Sequence, residues 1–143
     1  MEEIGTNTAL LIIDVQRDLF EKSTPVYRGD LLLKNINALV DRAHAAGAPV
    51  FYVQHSTKTT LIQGSRGWQL HPALKPRKTD HFIRKHHGNA FEDTPLKIEL
   101  DALHVSKVVV VGLGHGRLRA GNLQRCPCPG LWRDLGGGCP QYQ

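Results

Sequence analysis

The chain predicts a doubly wound (Rossmann-like) α/β fold, a parallel sheet with helices on both faces, and three observations carry that reading. Short, continuous apolar runs at residues 9–13, 50–53 and 108–113 have the composition of strands buried on both faces. Between them, apolar residues recur every three to four positions, as on amphipathic helices. Strand, helix and strand alternate along the first 113 residues, an order that needs crossover connections and therefore parallel strands.

The first strand is five apolar residues, Ala9 to Ile13, that end in Asp14, with Gln16 two positions further on. Open α/β sheets hold their ligands at the carboxyl ends of the strands, which makes Asp14 a candidate functional carboxylate. The alternative is that Asp14 only starts the next turn. Residues 17–29, including Arg17, Asp18 and Phe20, read as a loop. Asp30 is placed to cap a helix whose buried face is Leu31, Leu32, Ile36, Leu39, Val40 and Ala43, and Gly47 ends it. The second strand puts Gln54 and His55 at its tip. A long loop with Gly64, Gly67 and Trp68 then leads to a third short strand over residues 80–85, which ends in Lys85. Thr94 opens a helix carrying Leu96, Ile98, Leu100 and Leu103. Four consecutive valines make residues 108–113 the strongest strand signal in the chain.

Composition separates this region from the rest of the chain. The 143 residues are enough for one domain, and 41% hydrophobic content is enough for a core. No apolar run has spanning length and no charged-then-apolar leader is present, so a cytoplasmic protein without a membrane partner is expected. The net charge of +5 invites a nucleic-acid reading until it is divided along the chain. Residues 114–143 carry Arg117, Arg119, Arg125 and Arg133 against Asp134 alone, a balance of +3 that leaves +2 for residues 1–113, which have no basic stripe. Four arginines without interleaved aromatics do not make an RNA-binding surface, and no nucleic-acid partner is expected. The same tail holds Cys126, Cys128 and Cys139 and seven of the 14 glycines. The domain is accordingly read as residues 1–113, followed by a poorly ordered Gly/Pro/Arg/Cys-rich tail over 114–143.

Three motifs in the first part resemble the isochorismatase-like hydrolases, a superfamily that includes nicotinamidases and other cysteine hydrolases. They are the run from Leu11 through Asp14, Gln16 and Asp18 to Phe20; the segment from Ile83 through Lys85, Asn89 and Ala90 to Phe91, with Thr94 and Leu96 after it; and Val108 to Leu113. The resemblance spans about residues 8–113. It implies a catalytic Asp, Lys, Cys constellation with Asp14 as the base, Lys85 as the electrostatic partner, and a nucleophilic thiolate on the turn after the fourth strand. A nearby ammonium lowers a thiol pKa, a carboxylate can take its proton, and backbone N–H groups can hold an oxyanion. Read alone, Lys85 is equally a solvated strand-end lysine. Phe20, His55 and Trp68 are candidates for the substrate pocket, although each also fits ordinary packing.

The implied cysteine is absent from this sequence, because its slot is occupied by Leu118 between Arg117 and Arg119. Nothing in residues 114–143 continues the helix and strand alternation, so the last part of the fold is expected to be missing or scrambled. The valine-rich fourth strand would then be left as an aggregation-prone edge. The genetic code offers a reason. When the possible codons from residue 114 onward are read one base later, slot 115 can be Thr, slot 118 can be Cys and slot 122 can be Thr. One permitted reading then continues as a nucleophile turn, a helix and a strand ending in Asp-Ala. A frameshift after Leu113 is the expectation.

Other readings of the tail are weaker. Cys126, Cys128 and Cys139 are one ligand short of a structural zinc site and have the wrong spacing. Gly112, Gly114 and Gly116 lack the dinucleotide-loop spacing. His55, His71, His81, His86, His87 and His104 form no recognised ligand spacing with carboxylates, so neither a metal nor a cofactor is expected. Two functions are compatible with these residues: a hydrolase acting on a small amide or related small acid, inactive in this form for want of the thiol, or a non-catalytic chain. A small-molecule substrate and a family-like homo-oligomer are the expected partners.

Overall fold

The computed structural model of the chain describes residues 7–21, 29–87, 90–112, 123–125 and 131–134. Leu113, Leu118 and the three cysteines lie outside the described residues. The elements are β1 (Thr8–Ile13), α1 (Arg17–Glu21), α2 (Gly29–Ala46), β2 (Val50–His55), β3 (His81–Lys85), α3 (Leu96–Ala102), β4 (Lys107–Gly112), β5 (Leu123–Arg125) and β6 (Leu131–Asp134). They form one sheet in the order β3-β2-β1-β4-β6-β5. β3, β2, β1 and β4 are parallel, whereas β6 runs antiparallel to β4 and β5 antiparallel to β6.

β1 is central because every one of its residues is buried. Its side chains alternate between two cores. Leu10 and Ile12 join Tyr52, Val109 and Val111 beneath the Leu33, Ile36, Leu39, Val40 and Ala43 face of α2. Leu11 and Ile13 join Phe51, Val53, Ile83 and Val110 against Leu96 and Leu100 of α3. Burying each Leu or Ile side chain contributes roughly 1.5–3 kcal/mol, so both faces of β1 must be covered. This is the doubly wound arrangement expected from the sequence. From β1 the chain builds β2 and β3 on one side and then crosses to β4 on the other, which puts the switch point of the sheet between the carboxyl ends of β1 and β4.

Several local expectations are corrected. Residues 17–21 form the short helix α1 rather than loop. In α2 the buried leucine of the first turns is Leu33; Leu31 is 44% exposed and Leu32 packs only partly against the core. Asp30 lies inside the first turn, where its charge favours the helix N-terminus, instead of ahead of it. Gly47 does end α2. Its φ of 73° accompanies N–H bonds from Gly47 to the His44 carbonyl and from Ala48 to the Ala43 carbonyl, the paired pattern of a left-handed helix cap. α3 has seven residues and buries only Leu96 and Leu100, leaving Ile98 and Leu103 exposed.

Two short segments after residue 113 are strands. β6 lies along β4 with Val109 opposite Arg133, Val110 opposite Trp132 and Val111 opposite Leu131. Among the described residues, β4 is thus paired on both sides.

Candidate active site

At the carboxyl end of β1 the chain leaves the sheet abruptly. Asp14 still donates its N–H to the Val53 carbonyl at 2.9 Å, but its φ is 61°, a left-handed conformation that turns the chain away from the strand. Beside it, Gly112 ends β4 opposite Ile13. A Cβ at Gly112 would collide with the Ile13 backbone, and its φ of 133° is one that residues with side chains rarely adopt. Glycine thus lets the β1 and β4 ends meet closely at the switch point.

On the other flank, β2 and β3 run in register through His55 and Lys85. Lys85 reaches back over β2, and its Nζ lies 3.4 Å from Asp14 Oδ2 and 3.4 Å from His55 Nδ1, and donates to the His87 carbonyl at 3.2 Å. Asp14 is 4% exposed and Lys85 2%. Two groups of opposite formal charge this deeply buried have little water to turn to, so their mutual approach is the main compensation each has. The second carboxylate oxygen, Asp14 Oδ1, is buried without a hydrogen-bond partner among the described residues. It is an acceptor to which an N–H, O–H or S–H brought to the site could donate.

The structure brings Asp14, Lys85 and His55 into one cluster and holds Trp68 nearby. Ser56, next to His55, donates its N–H to the Lys85 carbonyl, and its Oγ accepts the indole N–H of Trp68 at 2.8 Å. The Trp68 carbonyl accepts from Gln16 Nε2 at 2.7 Å and from Gln54 Nε2 at 3.1 Å. Phe20 is different: it packs against the α2-side core and meets His71 edge-on, with ring centroids 4.9 Å apart. The sequence reading missed the parts played by Gln16, Gln54 and Ser56. The available signal was a polar residue in or just after the end of an apolar strand, Gln16 after β1 and Gln54 and Ser56 at the end of β2, and the fold buries all three.

Two further groups of titratable residues were not anticipated. His87 belongs to the histidines whose spacing to carboxylates matches no recognised ligand pattern, but its Nε2 lies 2.9 Å from Asp93 Oδ2, and with Glu92 these residues could converge on a cation. All three are exposed, and exposed acidic groups often cluster without a metal. At the opposite pole, near the start of β3, His44 Nε2 of α2 is 2.8 Å from the buried carboxylate of Asp80.

Residues 8–114 match the isochorismatase domain family. The chain is 32% identical over 111 residues to an uncharacterized isochorismatase family protein of Bacillus subtilis (strain 168), a match covering 74% of this chain and 62% of that protein. It is also 32% identical over 107 residues to a streptothricin hydrolase of Streptomyces noursei, covering 73% of this chain and 39% of that enzyme. The crystal structure of an isochorismatase family protein superposes with a TM-score of 0.67 at 38% identity, covering 69% of this chain and 59% of that one. The chain thus spans 39–62% of the length of the two sequence relatives. Among the described residues, no helix is long and apolar enough to cross a membrane.

Proposed function

This chain belongs to the isochorismatase family, and we propose that it carries the Asp and Lys half of a hydrolase site for a small amide or related small acid. The observation that carries the reading is the buried approach of Lys85 Nζ to Asp14 Oδ2, 3.4 Å, at the switch point of the sheet. In this reading Asp14 is the general base, and its unpartnered Oδ1 accepts a proton from the attacking group. Lys85 holds a buried positive charge beside the base and favours the anionic form of a nucleophile delivered there. His55 and Trp68 are assigned to the substrate pocket, as is Phe20, which packs against the α2-side core beside His71. No metal or other cofactor enters the reaction, and the partner is a small molecule rather than nucleic acid or membrane. A homo-oligomer in the cytoplasm is consistent with the reading.

The nucleophile is the missing half. The family resemblance puts a cysteine where this chain has Leu118, so the chain as it stands forms no acyl-enzyme and hydrolyses no amide by the thiol route. The frame-shifted reading after Leu113 explains the substitution and the change of composition together. A coding sequence whose codons forbid Thr at slot 115 or Cys at slot 118 would rule it out. The purified chain is expected to turn over neither a panel of small amides, nicotinamide included, nor isochorismate-type substrates. Turnover well above a Lys85→Ala control would overturn the inactive assignment. The frame-restored protein is expected to regain amidase activity and a thiol that reacts with iodoacetamide.

The second reading is a non-catalytic chain, a pseudoenzyme or truncated product with no activity of its own. In that reading Leu118 is a genuine residue of a pseudoenzyme or truncated product, and the coding sequence does not spell the cysteine turn one base out of frame.

A further inference from the structure

The buried Gln16 side chain makes three hydrogen bonds around the tip of β2. Its Oε1 accepts the His55 N–H at 2.9 Å, and its Nε2 donates to the His55 carbonyl at 3.0 Å and to the Trp68 carbonyl at 2.7 Å. The first two have a geometric meaning. Along β1, Leu10 donates to the Pro49 carbonyl and Asp14 to the Val53 carbonyl. Continuing that parallel ladder two residues further would send the Gln16 backbone N–H to the His55 carbonyl, and the His55 N–H to the Asp14 carbonyl. The strand does not continue, because Asp14 turns off at a φ of 61°. The Gln16 backbone then pairs with Leu70, and Val15 accepts from the His71 N–H, so both are engaged by the loop between β2 and β3. Without a substitute, the ladder positions facing both main-chain groups of His55 on that flank would go unfilled at the half-buried tip of β2, where backbone groups favour a partner.

We propose that the Gln16 carboxamide replaces the strand backbone missing beyond Ile13, and that Gln16 is a positioning residue for the Asp14, Lys85 and His55 cluster. By pairing with both main-chain groups of His55 it keeps β2 extended to the residue that faces Lys85 in register. Asp14 is thereby free to leave the sheet and meet Lys85, while His55 stays where its Nδ1 meets the same ammonium. The third bond ties this tip to Trp68. The proposal rests on reading the cluster as the functional site, but its test needs no substrate.

Gln16→Met is nearly isosteric and removes all three bonds, whereas Gln54→Met removes a bond to the Trp68 carbonyl and leaves the His55 pair intact. In uniformly labelled full-length protein, Gln16→Met is expected to accelerate amide hydrogen exchange at His55 by about tenfold while Phe51 and Val53 keep their protection. It should also shift the ring ¹⁵N resonances of His55, which report the tautomer and hence the contact with Lys85 Nζ. Gln54→Met should do neither. Gln16→Asn, whose amide is one methylene short, should reproduce the His55 changes, and it serves as the test if the methionine variant does not fold. Unchanged His55 ring resonances in a folded Gln16 variant, or equal changes in Gln54→Met, would overturn the proposal and leave Gln16 as an anchor of the loop alone. Neither result bears on amide hydrolysis, which the substrate panel tests separately.

Discussion

Lys85 and Asp14 were legible as candidates because each stands at the end of an expected strand on the same side of the sheet, but their mutual burial was not. Removing one member of a buried ion pair leaves the other charged and unsolvated, so Lys85→Met is expected to lower stability by about 3–5 kcal/mol, read by urea unfolding. A loss below about 1 kcal/mol would mean that the pair is hydrated in solution. Tyr52 makes the opposite case. Its hydroxyl is buried without a hydrogen-bond partner among the described residues, and burial first, then the charge of Asp80, raises its pKa from 10.0 to about 12. The folded chain therefore holds the phenol proton when the unfolded chain has lost it. The associated stability is complete below pH 10 and disappears as pH rises from 10 to about 12. Tyr52→Phe should gain about 1 kcal/mol at neutral pH and should lack this alkaline decline. Chemical denaturation of both proteins at pH 8 to 12 measures it, and parallel curves would contradict the assignment. Nothing in the sequence around Tyr52 marks it, because the groups that perturb it come from residues far along the chain.

The least legible element is the connection between β2 and β3, residues 56–80. Its glycines and Trp68 identify a loop, yet it is a strap fixed along its length over the α2 side of the sheet. Gln16 and Gln54 hold the Trp68 carbonyl, Asn37 donates to the Ala73 carbonyl at 3.1 Å, and Leu74 is buried in the core. At its far end, Asp80 accepts from the Arg77 N–H at 2.8 Å and meets His44 of α2. These anchors are mostly side chains bonded to main-chain carbonyls, which leave no pattern in the partner's sequence. The misread α3 has a related cause. Its apolar positions suggest a longer buried face, but two turns can bury only Leu96 and Leu100, and Lys97 pairs with Asp101 on the outside. Because the anchors at the two ends of the strap are separate, they should fail separately. His44→Leu leaves the Asp80 carboxylate short of a partner and should cost about 1–3 kcal/mol. Its faster hydrogen exchange should be confined to residues 77–80. Spread of the effect to Trp68 would show that the strap opens as one unit.

At the scale of the whole molecule, the order of the four parallel strands follows from alternation of strand and helix and from the right-handed crossover rule, and that much was readable. The antiparallel addition was not, because Leu131 to Asp134 is short, mixed in polarity and set among glycines and prolines that mask any strand signal. Its position matters more than its length. β4 carries four valines in series, and its inner edge is satisfied by β1 in register from Thr8 opposite Lys107 to Ile13 opposite Gly112. Among the described residues, its outer edge is paired by β6. An unpaired valine-rich edge offers free N–H and C=O groups to any other chain, and the cost of leaving it open grows with concentration as self-pairing competes. Deleting residues 114–143 should therefore turn a dispersed chain into one that scatters light and binds an amyloid-reporting dye at micromolar concentration. Amide exchange at Val109, Val110 and Val111 should be protected in the full chain. A monomeric truncated chain with the same protection at those three valines would show that β1 alone secures β4, and that the β6 pairing adds nothing to the sheet.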